Sequence, residues 1–325
     1  MIPLIILYLA VSTLALGDYT DFFARTYMFP LSAAAYSDKP NICLRRMFRN
    51  ASLYRQTTVV CGMQKTTCSG FTAVIPSDKA IVLSFRGTTS TAQLLEESAK
   101  SAFNGWFKWM FGGHVSSYFG NAFTKVWNGG MGADFVKLRK QYPNFEIWVT
   151  GHSLGGSLAS LANSYILGKG YADPLKTKLM TFGQPRTGDP NFSNTHKEQA
   201  EYAFRVTHWR DIVPHILSVG YRHHRRETFY QSGMKPKEFK VCEDGESNEC
   251  SNGLYFKSST NDHTHYFGKM VSEDPQTHGA RHCVTQAKVR SQKPPWAYHA
   301  RVRTPPDAPC AVPYASPPGP VSETH

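Results

Sequence analysis

The pattern of apolar and polar positions predicts short buried strands separated by helices. Four apolar runs rich in β-forming residues lie in the middle of the chain, at residues 80–85, 145–150, 178–182 and 203–209. Uninterrupted runs of this kind are typical of strands buried on both faces of a parallel sheet. A stretch with helical patterning lies between two of them, at residues 154–168. The alternation of strand and helix predicts an α/β fold.

The two ends of the chain depart from this pattern. Residues 2–16 form an unbroken apolar run that is short for a membrane span, and small residues precede a cut after Gly17. We interpret residues 1–17 as a signal peptide, with an uncleaved anchor as the alternative, and expect a soluble, secreted mature protein. Residues 291–325 are rich in proline and lack apolar periodicity, which predicts a disordered tail. The folded domain is therefore expected over residues 18–290.

Secretion makes disulfide bonds the expected state of the seven cysteines. Three pairs are expected: Cys61 with Cys68, Cys242 with Cys250, and Cys43 with Cys283. This pairing leaves Cys310 as the odd cysteine, and the sequence alone does not prove the connectivity. Zinc binding is a weaker interpretation, because none of the cysteine spacings is C-x-x-C.

Composition and charge narrow the class of protein. Hydrophobic residues make up 41% of the chain and charged residues 18%, which excludes an intrinsically disordered chain. The net charge of +12 favours weak attraction to anionic surfaces. Nucleic acid is not an expected partner, because no basic run is interleaved with stacking aromatic residues. Two glycosylation sequons begin at Asn50 and Asn191, and each is usable only where it is exposed.

The strongest chemical signal is the sequence Gly-His-Ser-Leu-Gly-Gly at residues 151–156, directly after a predicted strand and before the predicted helix. G-x-S-x-G in that position is the nucleophile elbow, a strained turn whose glycines let backbone segments approach closely. Ser153 would lie at a helix N-terminus, where backbone N–H groups and the helix dipole favour a developing negative charge. We therefore predict that Ser153 is a nucleophile.

A serine nucleophile needs a base, and the base needs a carboxylate that orients it. Asp211 follows the last predicted strand, and His263 and His265 come later in the chain. The order serine, acid, histidine fits this arrangement, and spacing alone leaves the choice between the two histidines open. Asp262 suits the orienting role poorly, because it adjoins His263 in sequence.

Other conspicuous polar residues receive structural interpretations. His152 is expected to pack away from the nucleophile, and His215 to be a hydrogen-bonded structural histidine. Asp189 is expected to cap a helix or to stabilise a loop. The charged run at residues 222–226 is interpreted as a solvated strand end in preference to a metal or anion site.

Five motifs together resemble the class 3 lipases, the fungal triacylglycerol lipase type within the α/β-hydrolase fold. They lie in the family's order at residues 83–90, 149–161, 181–189, 210–215 and 262–268. The resemblance covers about residues 20–285, and it implies a mostly parallel central sheet with helices on both faces.

The resemblance also implies the site. It assigns catalysis to Ser153, Asp211 and His263, because the family's H-x-x-Y-F pattern selects the first of the two histidines. An oxyanion hole would be formed by the backbone N–H and hydroxyl of Thr88 together with the N–H of Leu154. No metal or organic cofactor is implied.

An amphipathic helix at residues 93–103 looks like the family's lid, with an ordinary core-facing helix as the alternative. The aromatic residues at 106–111 would extend an apolar rim beside it.

These features predict a secreted lipase that hydrolyses the carboxylic-ester bonds of acylglycerols, triacylglycerol in particular. The reaction would run through an acyl-enzyme at a lipid–water interface, and no obligatory protein partner is evident. A phospholipase A1 or another carboxylesterase of the same family is the alternative. A non-catalytic lipid-binding protein is less favoured, because a binder has no need to hold serine, acid and histidine together.

Overall fold

A sheet of eight strands lies at the centre of the described residues. The computed structural model describes residues 17–62, 66–88 and 105–271, all of them within the unit Met1–Arg290. In chain order the strands are β1 (Ser52–Val60), β2 (Thr67–Ile75), β3 (Ala80–Phe85), β4 (Trp106–Lys108), β5 (His114–Ser116), β6 (Glu146–His152), β7 (Thr177–Phe182), β8 (Tyr202–His208), β9 (Glu227–Tyr230), β10 (Phe239–Cys242), β11 (His265–Tyr266) and β12 (Lys269–Met270).

The strand order in the large sheet is β1-β2-β3-β6-β7-β8-β9-β10. Five neighbouring strands of this sheet pair in parallel: β3, β6, β7, β8 and β9. At its edges β1, β2 and β10 pair antiparallel. Two smaller antiparallel sheets within the same residues pair β4 with β5 and β11 with β12. The predicted strand at residues 80–85 is confirmed at its observed bounds, and the other three predicted strands lie within two residues of theirs.

Helices cover both faces of the sheet. In chain order they are α1 (Asp21–Phe23), α2 (Phe29–Ala34), α3 (Pro40–Met47), α4 (Ser117–Val126), α5 (Gly132–Gln141), α6 (Leu154–Gly168), α7 (Pro190–Gln199) and α8 (Thr260–Thr264), with π turns at Ala24–Met28 and Trp127–Met131 and 3₁₀ turns at Pro76–Asp78, Pro174–Lys176, Val213–His215 and Ser251–Gly253. The predicted helix at residues 154–168 is confirmed as α6. It is followed by Gly170 with a φ of 68°, a left-handed conformation that commonly ends helices.

The alternation of side chains along the strands builds two cores. On β3, Ile81 and Leu83 pack with α4, α5 and α6, whereas Ala80 and Val82 pack on the opposite face with α1, α2 and α3. Successive strand residues point to opposite faces, so a strand that is apolar at every position is buried on both. The parallel α/β sheet predicted from the apolar runs is therefore confirmed, as is the mostly parallel α/β-hydrolase fold that the family resemblance implies.

Two of the expected disulfides are present, Cys61–Cys68 and Cys242–Cys250. Cys43 is also disulfide-bonded. Cys283 and Cys310 lie outside the described residues, so the Cys43–Cys283 pair and the unpaired state of Cys310 stay predictions.

The predicted signal peptide and tail are not tested, because residues 1–16 and 272–325 lie outside the described part of the chain. Within that part, no helix has the length and apolar character that crossing a bilayer requires. Asn50 and Asn191, which begin the two sequons, are both exposed.

The interpretation of residues 222–226 as a solvated strand end is wrong for most of the run. His223, His224 and Arg226 are buried, because each finds a distant partner. His223 Nε2 lies 2.7 Å from the carbonyl oxygen of Pro214, and Arg226 pairs with Glu243 at 3.1 Å. A charged run can therefore line the core when acceptors from other segments surround it.

A buried ion pair joins β8 to β9. Arg205 and Glu227 are 1% and 2% exposed, with 3.8 Å between the guanidinium nitrogen and the carboxylate oxygen. Glu227 also accepts hydrogen bonds from the Thr207 hydroxyl at 2.6 Å and the Ser251 amide at 3.1 Å. Removal of the carboxylate would leave a buried positive charge without its counter-ion.

Replacement Glu227→Ala is expected to lower the free energy of unfolding by about 3–5 kcal/mol, because the Arg205 guanidinium stays buried and uncompensated. Urea denaturation at neutral pH measures the change. The control is Glu249→Ala, which removes the carboxylate of the exposed Lys240–Glu249 pair and should change stability far less. Equal effects of the two variants would contradict the prediction.

Candidate active site

The turn between β6 and α6 places Ser153 in a strained backbone conformation. Ser153 has φ 61° and ψ −131°, a region that non-glycine residues rarely occupy. A Cβ atom added at Gly151 would lie 2.2 Å from the Gly155 carbonyl oxygen, and one added at Gly155 would lie 2.2 Å from the Phe85 carbonyl oxygen. Only glycine allows α6 to begin this close to β6 and β3, and this packing holds the turn.

Asp211 and His263 meet beside this turn. Asp211 follows β8, and His263 lies in α8, which is attached to the same segment by a hydrogen bond of 2.9 Å from the Ser259 amide to the Arg210 carbonyl. His263 Nδ1 lies 3.0 Å from each carboxylate oxygen of Asp211. Both side chains are buried. Since Nδ1 faces the carboxylate, Nε2 is the nitrogen left to exchange a proton.

The carboxylate of Asp211 is held in its ionised form. Burial raises its pKa, but the neighbouring His263 and hydrogen bonds from His263, Tyr266 and the Val213 amide lower it further, so the net shift is below the usual 3.8. The Val213 amide donates at 2.9 Å to one oxygen, and the Tyr266 hydroxyl donates at 2.7 Å to the other. A charged, fully bonded carboxylate of this kind fixes and stabilises a protonated imidazole.

Tyr266 is a site residue that the sequence did not reveal. It entered only as a landmark after the histidines, yet its hydroxyl is bonded to Asp211 inside the core. Burial and the adjacent carboxylate raise its pKa well above 10.0, so it remains a donor. Gly183, at φ 56°, completes the packing: an added Cβ would lie 2.9 Å from Asp211 Oδ2, His263 Nδ1 and the Tyr266 oxygen.

The segment that follows β3 passes next to Ser153. An added Cβ at Gly87 would lie 3.0 Å from the Ser153 Cβ, so the chain that leads into Thr88 is in contact with the elbow. The hydroxyl oxygen of Thr88 is buried and has no hydrogen-bond partner in the described structure. Leu154 begins α6, where backbone N–H groups lack helical acceptors. The two residues predicted for an oxyanion hole therefore flank the serine.

Most of the other polar residues that stood out in the sequence have hydrogen-bond partners outside the triad. His265 Nδ1 lies 3.0 Å from the Asn261 carbonyl oxygen, and Asp262 accepts a hydrogen bond of 3.2 Å from the Arg210 amide. Asp189 caps α7, as expected, by accepting from the Phe192 amide. His215 is half-buried, and its Nε2 has no hydrogen-bond partner within the described residues, so the expected structural hydrogen bond does not form at that nitrogen.

Part of the predicted entrance lies outside the described residues. The amphipathic segment 93–103 belongs to that part, so the lid stays a prediction. Of the neighbouring aromatic residues, Trp106 is 45% exposed, but Trp109 is buried and donates a hydrogen bond of 2.9 Å to the Ser164 hydroxyl. Trp109 therefore belongs to the core rather than to an exposed apolar rim. No group of three or more His, Cys, Asp or Glu residues in the described structure could hold a metal ion.

Comparison with known proteins identifies the family of this chain. The family model for Lipase (class 3) matches residues 82–220. Lipase ZK262.3 of Caenorhabditis elegans is 32% identical over 298 residues, which cover 79% of this chain and 82% of the relative. The chain belongs to the class 3 lipase family. As a class 3 lipase, the protein is a carboxylic-ester hydrolase.

A fungal relative and a solved structure extend the comparison. Secreted mono- and diacylglycerol lipase 1 of Fusarium solani is 30% identical over 233 residues, which cover 68% of this chain and 67% of the relative. A solved structure described as a triacylglycerol lipase whose catalytic centre is a serine protease triad matches with a TM-score of 0.67 and 26% identity, covering 78% of this chain and 97% of that one. The chain spans about half the length of some other fungal lipases that it matches.

Replacement Tyr266→Phe is expected to lower the free energy of unfolding at pH 7 by about 1.5–3 kcal/mol, because a hydrogen bond to a charged group is lost. The pKa of Asp211 is lower in the native protein than its usual value of 3.8. Its contribution to stability is therefore complete above pH 3.8 and is lost as the pH falls through the lowered pKa. The difference between variant and wild type should therefore shrink below pH 3.8. Urea unfolding of both proteins at pH 7 and at a pH below 3.8 measures this difference in free energy. A difference that is independent of pH would contradict a role through Asp211.

Proposed function

We propose that this class 3 lipase is a secreted enzyme that hydrolyses triacylglycerol and related acylglycerols through a Ser153–His263–Asp211 triad. The observation that carries the proposal is the buried Asp211–His263 pair, joined at 3.0 Å beside a serine in a strained elbow. A base oriented by a carboxylate, next to a serine at a helix N-terminus, is the arrangement that acyl transfer requires.

In this proposal each side chain has one task. Ser153 Oγ attacks the ester carbonyl while His263 Nε2 takes its proton, and Asp211 stabilises the imidazolium that forms. The protonated His263 then gives the proton to the leaving alkoxide. Diacylglycerol departs when the substrate is triacylglycerol, and the corresponding alcohol departs from other acylglycerols. Water repeats the sequence on the acyl-enzyme, which releases the fatty acid and restores the serine.

The negative charge that develops on the carbonyl oxygen needs donors that are already in place. We assign this task to the N–H and hydroxyl of Thr88 and to the N–H of Leu154. The buried Thr88 hydroxyl has no hydrogen-bond partner among the described residues, which supports the assignment, because such a donor is ready to bind the oxyanion. Donors fixed in this way stabilise the transition state without rearrangement.

The acylglycerol substrate and the secretion are supported by the relatives. The Fusarium solani relative is named as a secreted mono- and diacylglycerol lipase, and the solved structure as a triacylglycerol lipase. Two disulfides in the described residues fit an oxidising compartment. The apolar run at residues 2–16 fits a secretory signal. A lipid–water interface is accordingly the site at which the enzyme would meet its substrate.

Replacement Ser153→Ala or Asp211→Asn is expected to reduce hydrolysis of triolein by about 10⁴–10⁶-fold, because the nucleophile or the correct imidazole tautomer is lost. The control is Asp262→Asn, which changes the carboxylate beside His263 that lies outside the triad and should retain activity. Titration of released oleate gives the rates. Wild-type turnover that is insensitive to Ser153→Ala would contradict the proposal.

Product analysis with the purified wild-type enzyme distinguishes between the candidate substrate classes. Product analysis on triolein, phosphatidylcholine and methyl ferulate is expected to give oleate and diolein as the main products. Lysophosphatidylcholine as the main product would assign a phospholipase A1 instead, and ferulate would assign a phenolic-acid esterase.

Replacement Thr88→Val removes one oxyanion donor at nearly constant volume and is expected to lower kcat by about 10²–10³-fold. Thr88→Ser keeps the hydroxyl and should remain close to wild type. Initial rates on p-nitrophenyl butyrate, which needs no lipid surface, separate this effect from substrate docking. Equal activity of the two variants would show that the hydroxyl does not contact the oxyanion.

A further inference from the structure

His152, the residue before Ser153, is bonded at both ring nitrogens inside the core. Its side chain is buried, with 3% of the residue exposed. Nε2 lies 2.7 Å from the carbonyl oxygen of His263, and Nδ1 lies 2.8 Å from the hydroxyl oxygen of Tyr36. The ring also lies against the His263 imidazole, with 4.5 Å between the ring centroids. One side chain therefore contacts both the ring and the backbone of the proposed base.

The direction of these hydrogen bonds follows from what each group can donate. A carbonyl oxygen only accepts, so His152 Nε2 must carry the proton. Burial and the neighbouring His263 lower the pKa of His152 to about 3, so the ring is neutral and has one proton. Nδ1 is then an acceptor, and the Tyr36 hydroxyl donates to it. Burial raises the pKa of Tyr36 above its usual value, which keeps that donor protonated.

The same chain of contacts reaches the segment that leads into Thr88. An added Cβ at Gly87 would lie 2.1 Å from the Tyr36 hydroxyl oxygen and 2.6 Å from the His152 carbonyl oxygen. Tyr36 and His152 thus connect three segments that are distant in sequence: the proposed oxyanion segment, the nucleophile elbow and α8.

The backbone of His263 has few local restraints. It lies in α8, a helix of five residues, and a helix this short does not hold its own conformation in water. Contacts from outside the helix must therefore fix its position. The Nε2–H of His152 supplies one such contact, because it donates to the carbonyl oxygen of His263. His152 is also the residue directly before Ser153.

We propose that His152 and Tyr36 are positioning residues that set the distance between the Ser153 nucleophile and the His263 base. The inference rests on the proposed roles of Ser153 and His263, and it adds a function for two residues outside the triad. A neutral ring that is held on the residue before Ser153 and bonded to the backbone of His263 restrains the separation of the two. A displacement of about 1 Å in such a site lowers the rate by about 10²-fold.

Two substitutions of His152 distinguish positioning from packing. The amide nitrogen of glutamine can occupy the place of Nε2 and donate to the His263 carbonyl, whereas asparagine is too short and reaches only the place of Nδ1. His152→Gln is therefore expected to stay within about fivefold of wild-type kcat, and His152→Asn to fall by about 10²-fold with little change in KM. Tyr36→Phe, which removes only the donor to Nδ1, should fall by about tenfold.

The measurement is kcat and KM on p-nitrophenyl butyrate, together with the thermal midpoint and the rate of serine labelling by a small organophosphate. Labelling should fall in parallel with kcat, since it requires the same base. The control is His196→Gln, because His196 is also buried but stacks on His224. The His196→Gln variant is expected to lower the thermal midpoint. Its kcat, divided by the fraction of protein whose serine can be labelled, should equal that of wild type.

The outcomes separate the two proposals. A wild-type enzyme without Ser153-dependent turnover would defeat the proposed function itself. With wild-type turnover intact, equal kcat losses in His152→Gln and His152→Asn that follow their thermal midpoints would show packing alone and overturn the positioning role. Wild-type kcat in Tyr36→Phe and His152→Asn would overturn it as well. Recovery of kcat in the glutamine variant alone would support it.

Discussion

The site depends on how closely α6 can approach the strands beneath it. The first turn of the helix touches the ends of β6 and β3 at Gly151 and Gly155, where any side chain would overlap backbone atoms by more than an ångström. This packing forces Ser153 into its unfavourable φ and ψ, and the buried contacts around the turn offset the strain. The serine is therefore positioned by the packing of α6 on the parallel sheet rather than by a loop.

The other groups come from the carboxyl ends of the same parallel strands. Asp211 follows β8, Gly183 follows β7 and the Thr88 segment follows β3, so each reaches the edge of the sheet at which the elbow stands. Burying these polar groups together is costly unless each is bonded. Asp211 accepts from three residues, and His152 is bonded at both nitrogens. Among the described residues the Thr88 hydroxyl is the exception, and in the proposed mechanism it donates to the charge that develops in the transition state.

The sequence predicted what local patterning encodes and missed what long-range contact creates. The apolar run 80–85 and the helix 154–168 were predictable because their signals lie within the segments themselves. The contacts of Tyr266 with Asp211 and of Tyr36 with His152 span 55 and 116 residues, and no local pattern marks them. The charged run 222–226 was misjudged for the same reason, since its buried histidines and Arg226 bond to groups elsewhere in the chain.

The buried imidazoles of His152 and His263 lie against each other beside Ser153, tilted by 31°, and their surroundings favour one of them as the proposed base. His263 faces the ionised carboxylate of Asp211, which stabilises a positive ring. The bonding partners of His152 are a carbonyl oxygen and a tyrosine hydroxyl, and burial holds its pKa near 3. In the proposed mechanism, the proton taken from Ser153 therefore goes to the ring that faces a carboxylate and not to His152. The neutral ring can then serve as a fixed spacer, because it does not change its charge when its neighbour does.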